Sequence, residues 1–503
     1  MTALVTDLTK QQRSERWNAI AWYVPALILA AAFGTSVALG GKLLMVFAFG
    51  AMGGLALLFA PLGIVFGFFL VITFVIVGPI TSMGKLSVAQ WVPYMLALIL
   101  LVRVPMERYQ TNTLRHQHLR GGGGMVSPSL WAVSCYFLLI GMSLLANLPS
   151  PLQALVGGKL YVFIWGVFFL LVVSSISERF VENMWRGMLA VAVLQLPFAL
   201  YQRVFEVPKR LALGFGITSL DAIVGTFPGG EGGGANGSLA MFCIVSMVLA
   251  ISLWRNKVLS GRSAAVVTIA SLVSIAVGEV KVIVVLFPLT FAIFNRKELI
   301  RRPLYFLGIG TAVVIVVGAI FSLYRDESKA TQGLSTTEHL ERSFKYILDP
   351  NNIRENGEVG RFAALYLWYR DGRSTPQTVL VGYGPGASQN STTGKGVVAA
   401  RYAPLGINST TAAGMLWDIG VLGLMAYLAI LVVSFFEALK LAPLQQIPPF
   451  HRSALEASAV MMALTGVMVP YDSDILIVPQ FQVLFLLALF HIVYWRSRIK
   501  HPV

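Results

Sequence analysis

Apolar runs of bilayer-crossing length recur along almost the whole of this chain, and that repetition restricts the fold more than any motif does. A helix needs roughly 20 apolar residues to cross about 30 Å of hydrocarbon. Such runs fall near 18–39, 42–59, 61–80, 86–102, 129–147, 159–177, 185–204, 236–254, 263–277, 279–294, 303–322, 410–436, 453–469 and 475–495. In lipid the backbone of a spanning segment must satisfy its own polar groups, so runs of this length are helices. With 56% hydrophobic and 12% charged residues, and a mean hydropathy of +0.74, the composition lies outside the soluble globular range. The expected fold class is all-α: a polytopic membrane helix bundle of about 14 transmembrane helices, with a range of about 12–14. Pro61 and Gly278 each divide a pair of runs that can also form one broken or re-entrant element.

Charge placement orients the chain, because short cytoplasmic loops are enriched in Lys and Arg. With the N-terminus inside, Arg103, Arg108, Arg179, Arg186, Arg255, Arg262, Arg296, Arg301, Lys440, Arg452, Arg496 and Arg498 all fall on the cytoplasmic side. The short outer loops hold Lys42, Lys85 and Lys159. Both termini are therefore expected inside. The net charge of +15 reads as this orientation signal, and nucleic-acid binding is not needed to explain it. The first apolar segment, flanked by Trp17, Trp22 and Tyr23, reads as a retained span rather than a cleaved signal. Cys135 and Cys243 both fall inside spans, so neither a disulfide framework nor a zinc cluster is expected.

Two polar excursions interrupt the pattern on the outer side. The chain accordingly divides into an N-terminal bundle at 1–204, an amphipathic and glycine-rich outer loop at 205–235, central helices at 236–323, a large outer loop at 324–408 and C-terminal helices at 409–503. A loop of about 85 residues is far beyond an ordinary connection, and such loops are usually functional. Within it, helical spacing at Thr336–Leu348 and Gly360–Arg370 predicts two short helices, joined by a turn at Asp349 to Asn352. Gly121 to Gly124 reads as a flexible cytoplasmic linker.

The outer segments concentrate arginine: Arg203 and Arg210 in the first, Arg361, Arg373 and Arg401 among those in the second. Guanidinium groups bind phosphate bidentately; equally, many of these can pair with nearby carboxylates such as Glu358 and Asp371. Gly382-Tyr383-Gly384-Pro385-Gly386 reads either as a tight structural turn or as a close backbone approach to a ligand. Glu279 and Lys281 either lie at membrane depth, where ionisable residues mark function, or occupy a short outer turn. His339 is the one histidine of the outer segments, so a multi-histidine metal site is not expected. Asp472 and Asp474 read as a solvated turn.

The layout resembles the bacterial family of O-antigen ligases and O-antigen or exopolysaccharide polymerases. Four local patterns carry the resemblance, in order: Gly225-Thr226-Phe227 with Asn236; Gly360-Arg361 with Trp368; Gly382-Tyr383-Gly384 with Gly386; and Asn408-Ser409 leading into Trp417, Asp418, Gly420 and Gly423. Arginine followed by glycine after ten intervening residues also occurs, at Arg203, Arg361 and Arg373, although 47 glycines in 503 residues make such spacing common. The chain departs from the family where a histidine commonly precedes the Asn or Ser, since Ile407 stands there. It departs again where Asp418 replaces a glutamate, and where Glu279 and Lys281 stand near the usual Ser-Arg.

The resemblance implies a GT-C-like glycosyltransferase of the bacterial inner membrane, with the large loop periplasmic. It implies a polysaccharide polymerase that moves a growing undecaprenyl-diphosphate-linked glycan onto a lipid-linked repeat unit, inverting and without a metal or cofactor. Arg361 leads the expected site, with His339, Asp418 or Glu358 as base candidates. Arg203, Arg210, Arg373, Arg401, Glu279, Lys281, Asn236, Gly382, Gly384 and Asn408 are expected to hold substrate. Membrane lipid and a chain-length regulator or export machinery are the implied partners. Ligation to a lipid A core is the alternative within the family, and transport or flipping of lipid-linked sugars is the alternative outside it.

Overall fold

The computed structural model describes residues 53–54, 56–82, 86–118, 127–212, 221–230, 233–278, 280, 282–304, 308, 310–311, 345–391 and 394–499. The chain divides into two units, Met1–Gly67 and Phe68–Val503. Most of the first unit, and most of the expected span 303–322, lie outside the described residues.

The described chain is helical, with two-residue strands as its sheet: Gly229–Gly230 pairs antiparallel with Gly233–Gly234, and Asn390–Ser391 with Gly394–Lys395. Helix α1 is Leu62–Ser82, α2 Val92–His118, α3 Pro128–Asn147, α4 Pro151–Tyr161, α5 Gly166–Val173 and α6 Glu178–Ala212. There follow α7 Asn236–Arg255, α8 Gly261–Val277, α9 Ile283–Phe294 and α10 Arg296–Arg301. The large loop carries α11 Arg361–Tyr369, α12 Pro376–Val381 and α13 Val397–Arg401. The chain then closes with α14 Thr411–Leu441, α15 Pro449–Met468, α16 Asp474–Ile477 and α17 Pro479–Arg498.

Among the described residues, six helices are long and apolar enough to cross a membrane, or seven if the bent pair α4 and α5 is one span. This is a helical membrane protein with fewer such helices in view than the fourteen expected. The expected spans at 18–39, 42–59 and 303–322 lie wholly or mostly outside the described residues; for the others the reasons are local. α8 and α9 are apolar but short. α15 and α17 have 20 residues each but carry polar side chains, among them His451, Glu456, Gln482 and His491. A helix buried all round can keep such groups by bonding them internally, and α17 is buried from Pro479 to Trp495. α7 is likewise enclosed. These two helices form the centre, and the remaining spans turn apolar faces such as Trp131, Leu138 and Leu145 outward.

Three expectations about element boundaries are corrected. The span expected at 159–177 is the broken pair α4 and α5, bent by 41°, so Lys159 sits within a helix rather than in a loop. The first outer loop, expected from 205, begins later because α6 continues to Ala212. Pro208 marks a helix end in sequence, but a π-turn at Gln202–Glu206 widens the backbone just before it and the helix runs on. In the large loop, α11 matches the expected helix at Gly360–Arg370, and the turn after Asp349 is present, with Asn351 N–H donating to Asp349 Oδ1 at 2.9 Å.

The bundle has two chemically different ends. One gathers basic side chains with polar or acidic partners: Arg498 on Glu178 at 3.2 Å, Arg496 on Glu437 at 3.5 Å, and Arg255 on the Asn295 amide oxygen at 3.1 Å. The other gathers the N-termini of α2, α7, α14 and α17 with the large loop: Tyr94 bonds Ile477, Ser238 bonds Asp474, and Thr411 bonds Asp472.

Candidate functional site

The large loop is fixed to the bundle through a break in α14. Gly420 takes φ +70° in mid-helix, which interrupts the hydrogen-bond ladder and frees carbonyls that lipid cannot satisfy. Two are taken up: Trp417 C=O accepts from Tyr383 N–H at 2.8 Å, and Asp418 C=O accepts from Ser143 Oγ at 3.1 Å. α12 delivers the turn to this spot. It starts on a capping box between Thr375 and Thr378 and ends at Gly382, φ +74°. Gly384 and Gly386 also have positive φ, and a Cβ on Gly386 would lie 2.5 Å from Gln153 C=O on α4. The Gly-Tyr-Gly turn is therefore a packed joint between α3, α4 and α14. Gly382 and Gly384, expected to hold substrate, have this structural role in the described fold.

Asp418 belongs to the same joint. Its carboxylate is fully buried and accepts from Ser388 N–H at 2.6 Å and Tyr161 Oη at 3.0 Å. Buried and hydrogen-bonded in this way it holds the turn, and it does not line the cavity that opens beside Arg361. Ile407, at the position of the family's histidine, packs with Ala387, Val398 and Trp417 in an apolar cluster.

A second joint secures the first outer segment. Gln195 and Gln202, seven residues apart on one face of α6, clasp the backbone of Gly225-Thr226. Gln202 Oε1 accepts from Val224 and Gly225 N–H at 2.9 and 2.7 Å, and Gln195 Oε1 accepts from Thr226 N–H at 2.8 Å. The Thr226 hydroxyl donates at 2.5 Å to Phe74 C=O, inside the π-turn Ile72–Ile76 of α1. The Gly-Thr-Phe pattern is thus a docking motif for the loop.

Between the joints lies a polar cluster around Arg361, the first residue of α11. Its guanidinium donates to Ser409 C=O and lies 5.4 and 5.5 Å from the ring centroids of Tyr346 and Tyr471. Burial opposes its charge, but Asp472 and Asp474 raise its pKa further above the ordinary arginine value. Burial pushes the Asp474 carboxyl well up, and the neighbouring Asp472 adds to this, against the hydrogen bond from Ser238 at 2.9 Å. Asn236 caps the same corner, donating to Asp221 Oδ1 at 3.0 Å and accepting from Gly237 N–H. The two outer segments therefore meet at one end of the bundle. Asp472 and Asp474, read as a solvated turn, are the acidic counterpart of Arg361. Their spacing alone carried no sign of this, because the partner lies 111 residues earlier in the chain.

Beside the cluster opens a cavity of about 430 Å³, lined among others by Trp91, Lys159, Glu358, Gln389, Asn408 and Ser409. Val156, Leu160, Val359 and Ile477 give the wall an apolar part, against which the amides of Gln90, Gln389, Asn390 and Asn408 and the hydroxyls of Ser409 and Ser473 are set, the mixture of apolar surface and a few polar groups usual in a ligand pocket. Asn408 donates to Gln389 Oε1 at 3.0 Å. Glu358 reaches the cavity while its carboxylate accepts from Arg354 at 2.6 Å.

The remaining expected residues are not part of this wall. Arg401 is bound to Asp371 at 3.3 Å, and Asp371 also accepts from Tyr383 and Tyr402 at 2.9 and 3.0 Å. In the described fold Arg401 braces the loop. Arg373 is exposed near that brace, and Arg203 and Arg210 lie in the π-turn and last turn of α6. His339, Glu279 and Lys281 lie outside the described residues. No protein-family model matches the chain, and no curated protein matches it significantly.

Proposed function

We propose that the chain is a polysaccharide polymerase of the bacterial inner membrane, with a GT-C-like bundle of about fourteen spans and its large loop periplasmic. The supporting observation is the cavity: about 430 Å³ of mixed apolar, amide and hydroxyl wall beside the clamped Arg361, at the end opposite Arg255, Arg496 and Arg498. In this reading an acceptor sugar hydroxyl attacks the anomeric carbon of an undecaprenyl-diphosphate-linked glycan. The new C–O bond forms as the bond to the diphosphate oxygen breaks, and the diphosphate leaves with the electron pair. Cationic side chains stabilise that developing charge in a site of low dielectric. Glu358, the candidate base that lines the cavity, receives the hydroxyl proton.

Reconstitution in vesicles with a lipid-linked repeat unit tests this. Lengthening of the glycan supports the polymerase; movement of the lipid between leaflets without a new bond supports a transporter instead. Arg361→Ala is expected to collapse chain length while the protein still inserts, and unchanged polymer from that variant would remove Arg361 from the site.

A further inference from the structure

Lys159 is a cationic side chain of the cavity that the expected site did not include. It sits on α4, two residues from the end of the helix, and its side chain reaches the cavity wall. Its ammonium lies 4.5 Å from the Trp91 ring centroid and 4.9 Å from that of Tyr94. Among the described residues no carboxylate comes within 4 Å of it and no oxygen accepts its hydrogens, although an ammonium carries three donors. Cation–π contact offsets part of the cost of desolvating it and leaves the hydrogen-bonding capacity unused. The other cations here are differently placed. Arg361 is turned to Ser409 and toward the two aspartates, Arg401 is bound to Asp371, and Arg354 is bound to Glu358.

We infer that Lys159 makes this cavity an anion-recognising subsite, taking a phosphate or carboxylate group carried by a glycan substrate. The inference rests on the glycosyl-transfer reading for its substrate class and adds to it the cation that meets the substrate's charge. Trp91 and Tyr94 hold the ammonium at the cavity wall. Gln389 and Asn408 supply neighbouring polar contacts for hydroxyls. The charge can come from the lipid carrier's diphosphate or from an acidic sugar, and the two are separable with matched probes.

Binding to the full chain in nanodiscs is to be measured for farnesyl diphosphate against farnesol, and for an alkyl β-glucuronide against the matching glucoside. We expect an anionic probe to bind better than its neutral partner. Lys159→Met should weaken that probe by at least about tenfold, the loss of a charge-assisted hydrogen bond, and leave the neutral partner unchanged. Lys159→Arg should keep the preference for the anion, and Arg262→Gln, exposed at the opposite end, should bind as the wild type does. Preference for farnesyl diphosphate assigns the carrier, and preference for the glucuronide assigns an acidic sugar. Equal binding of anionic and neutral probes, or anion binding that survives Lys159→Met intact, overturns the inference. Glycan lengthening is scored separately: lengthening without Lys159-dependent binding sinks this subsite alone, whereas Lys159-dependent binding without lengthening sinks the polymerase.

Discussion

Gly382 and Gly420 stand backbone to backbone, and neither has room for a side chain. A Cβ on Gly382 would lie 2.5 Å from Ile419 N, and a Cβ on Gly420 would lie 2.5 Å from Gly382 N. Both residues have positive φ, +74° and +70°, where an L side chain is strained even in open space. The contact couples the large loop to the kink of α14.

Substitution at that point is expected to be costly. Gly382→Ala or Gly420→Ala should each lose about 2 kcal/mol or more of stability, strain plus steric overlap. The double variant should cost less than the sum, because either change already separates the two backbones. Thermal unfolding in detergent measures this, and wild-type melting of both single variants would show that the turn and the kink do not touch.

The clasp of the first outer segment gives a second test. Thr226→Val keeps the volume but leaves Phe74 C=O and Gln195 Nε2 without their buried partner. Leaving buried polar groups unmade costs about 1–3 kcal/mol. Gln195→Leu strands Thr226 N–H in the same way, and the pair should be strongly non-additive. Additive losses would mean the glutamine and threonine act independently.

The helical membrane character was legible in hydropathy alone, since spans such as 236–254 and 410–436 coincide with α7 and α14. What could not be read was where polarity is tolerated. α17 carries Gln480 and Gln482, whose amides donate to Thr73 C=O at 2.7 Å and Leu476 C=O at 2.9 Å, and those partners are distant or non-periodic in sequence. The site was legible by halves for the same reason. Arg361 and Asn408 were named as candidates through local patterns and Glu358 as a carboxylate of the large loop, whereas Lys159, Asp472 and Asp474 gain their meaning from neighbours far along the chain. Glycine patterns were found as well, but spacing does not say whether a positive φ serves a ligand or a packed joint.

Two carboxylates of the outer region are expected to respond to pH with opposite sign. Burial pushes Asp371 up, but hydrogen bonds from Tyr383, the Arg373 backbone and Tyr402, with the charge of Arg401, hold it below the usual carboxylate value. Its contribution is therefore present above the unfolded value of about 3.9 and is lost as pH falls through the lower folded value. Asp474 is held up, so its contribution is present below about 3.9 and is lost as pH rises toward its folded value. Unfolding followed from about pH 3 to pH 7 should show Asp371→Asn approaching the wild type at the acid end. Asp474→Asn should gain on the wild type as pH rises. Parallel curves for either variant would contradict the assigned shift.

The two ends of the bundle should face opposite sides of the membrane. α15 connects them directly: Ser453, near its start, accepts from Asn256 at 2.8 Å, and its last turn leads through Tyr471 to the Arg361 cluster. Its 20 residues make roughly 30 Å of helix, the thickness of the hydrocarbon core. Arg262 follows Asn256 at the basic end, and Arg373 lies in the loop at the other; both are exposed. Cysteine placed at either position, in a chain whose exposed Cys135 is replaced by serine, should react with an impermeant maleimide from one side. Arg373→Cys should be labelled from the periplasm and Arg262→Cys from the cytoplasm. The cavity, Lys159 and Arg361 would then share the compartment in which a lipid-linked glycan is extended. Labelling of both positions from the same side would place the outer loops beside the basic end and remove the basis for glycosyl transfer at this surface.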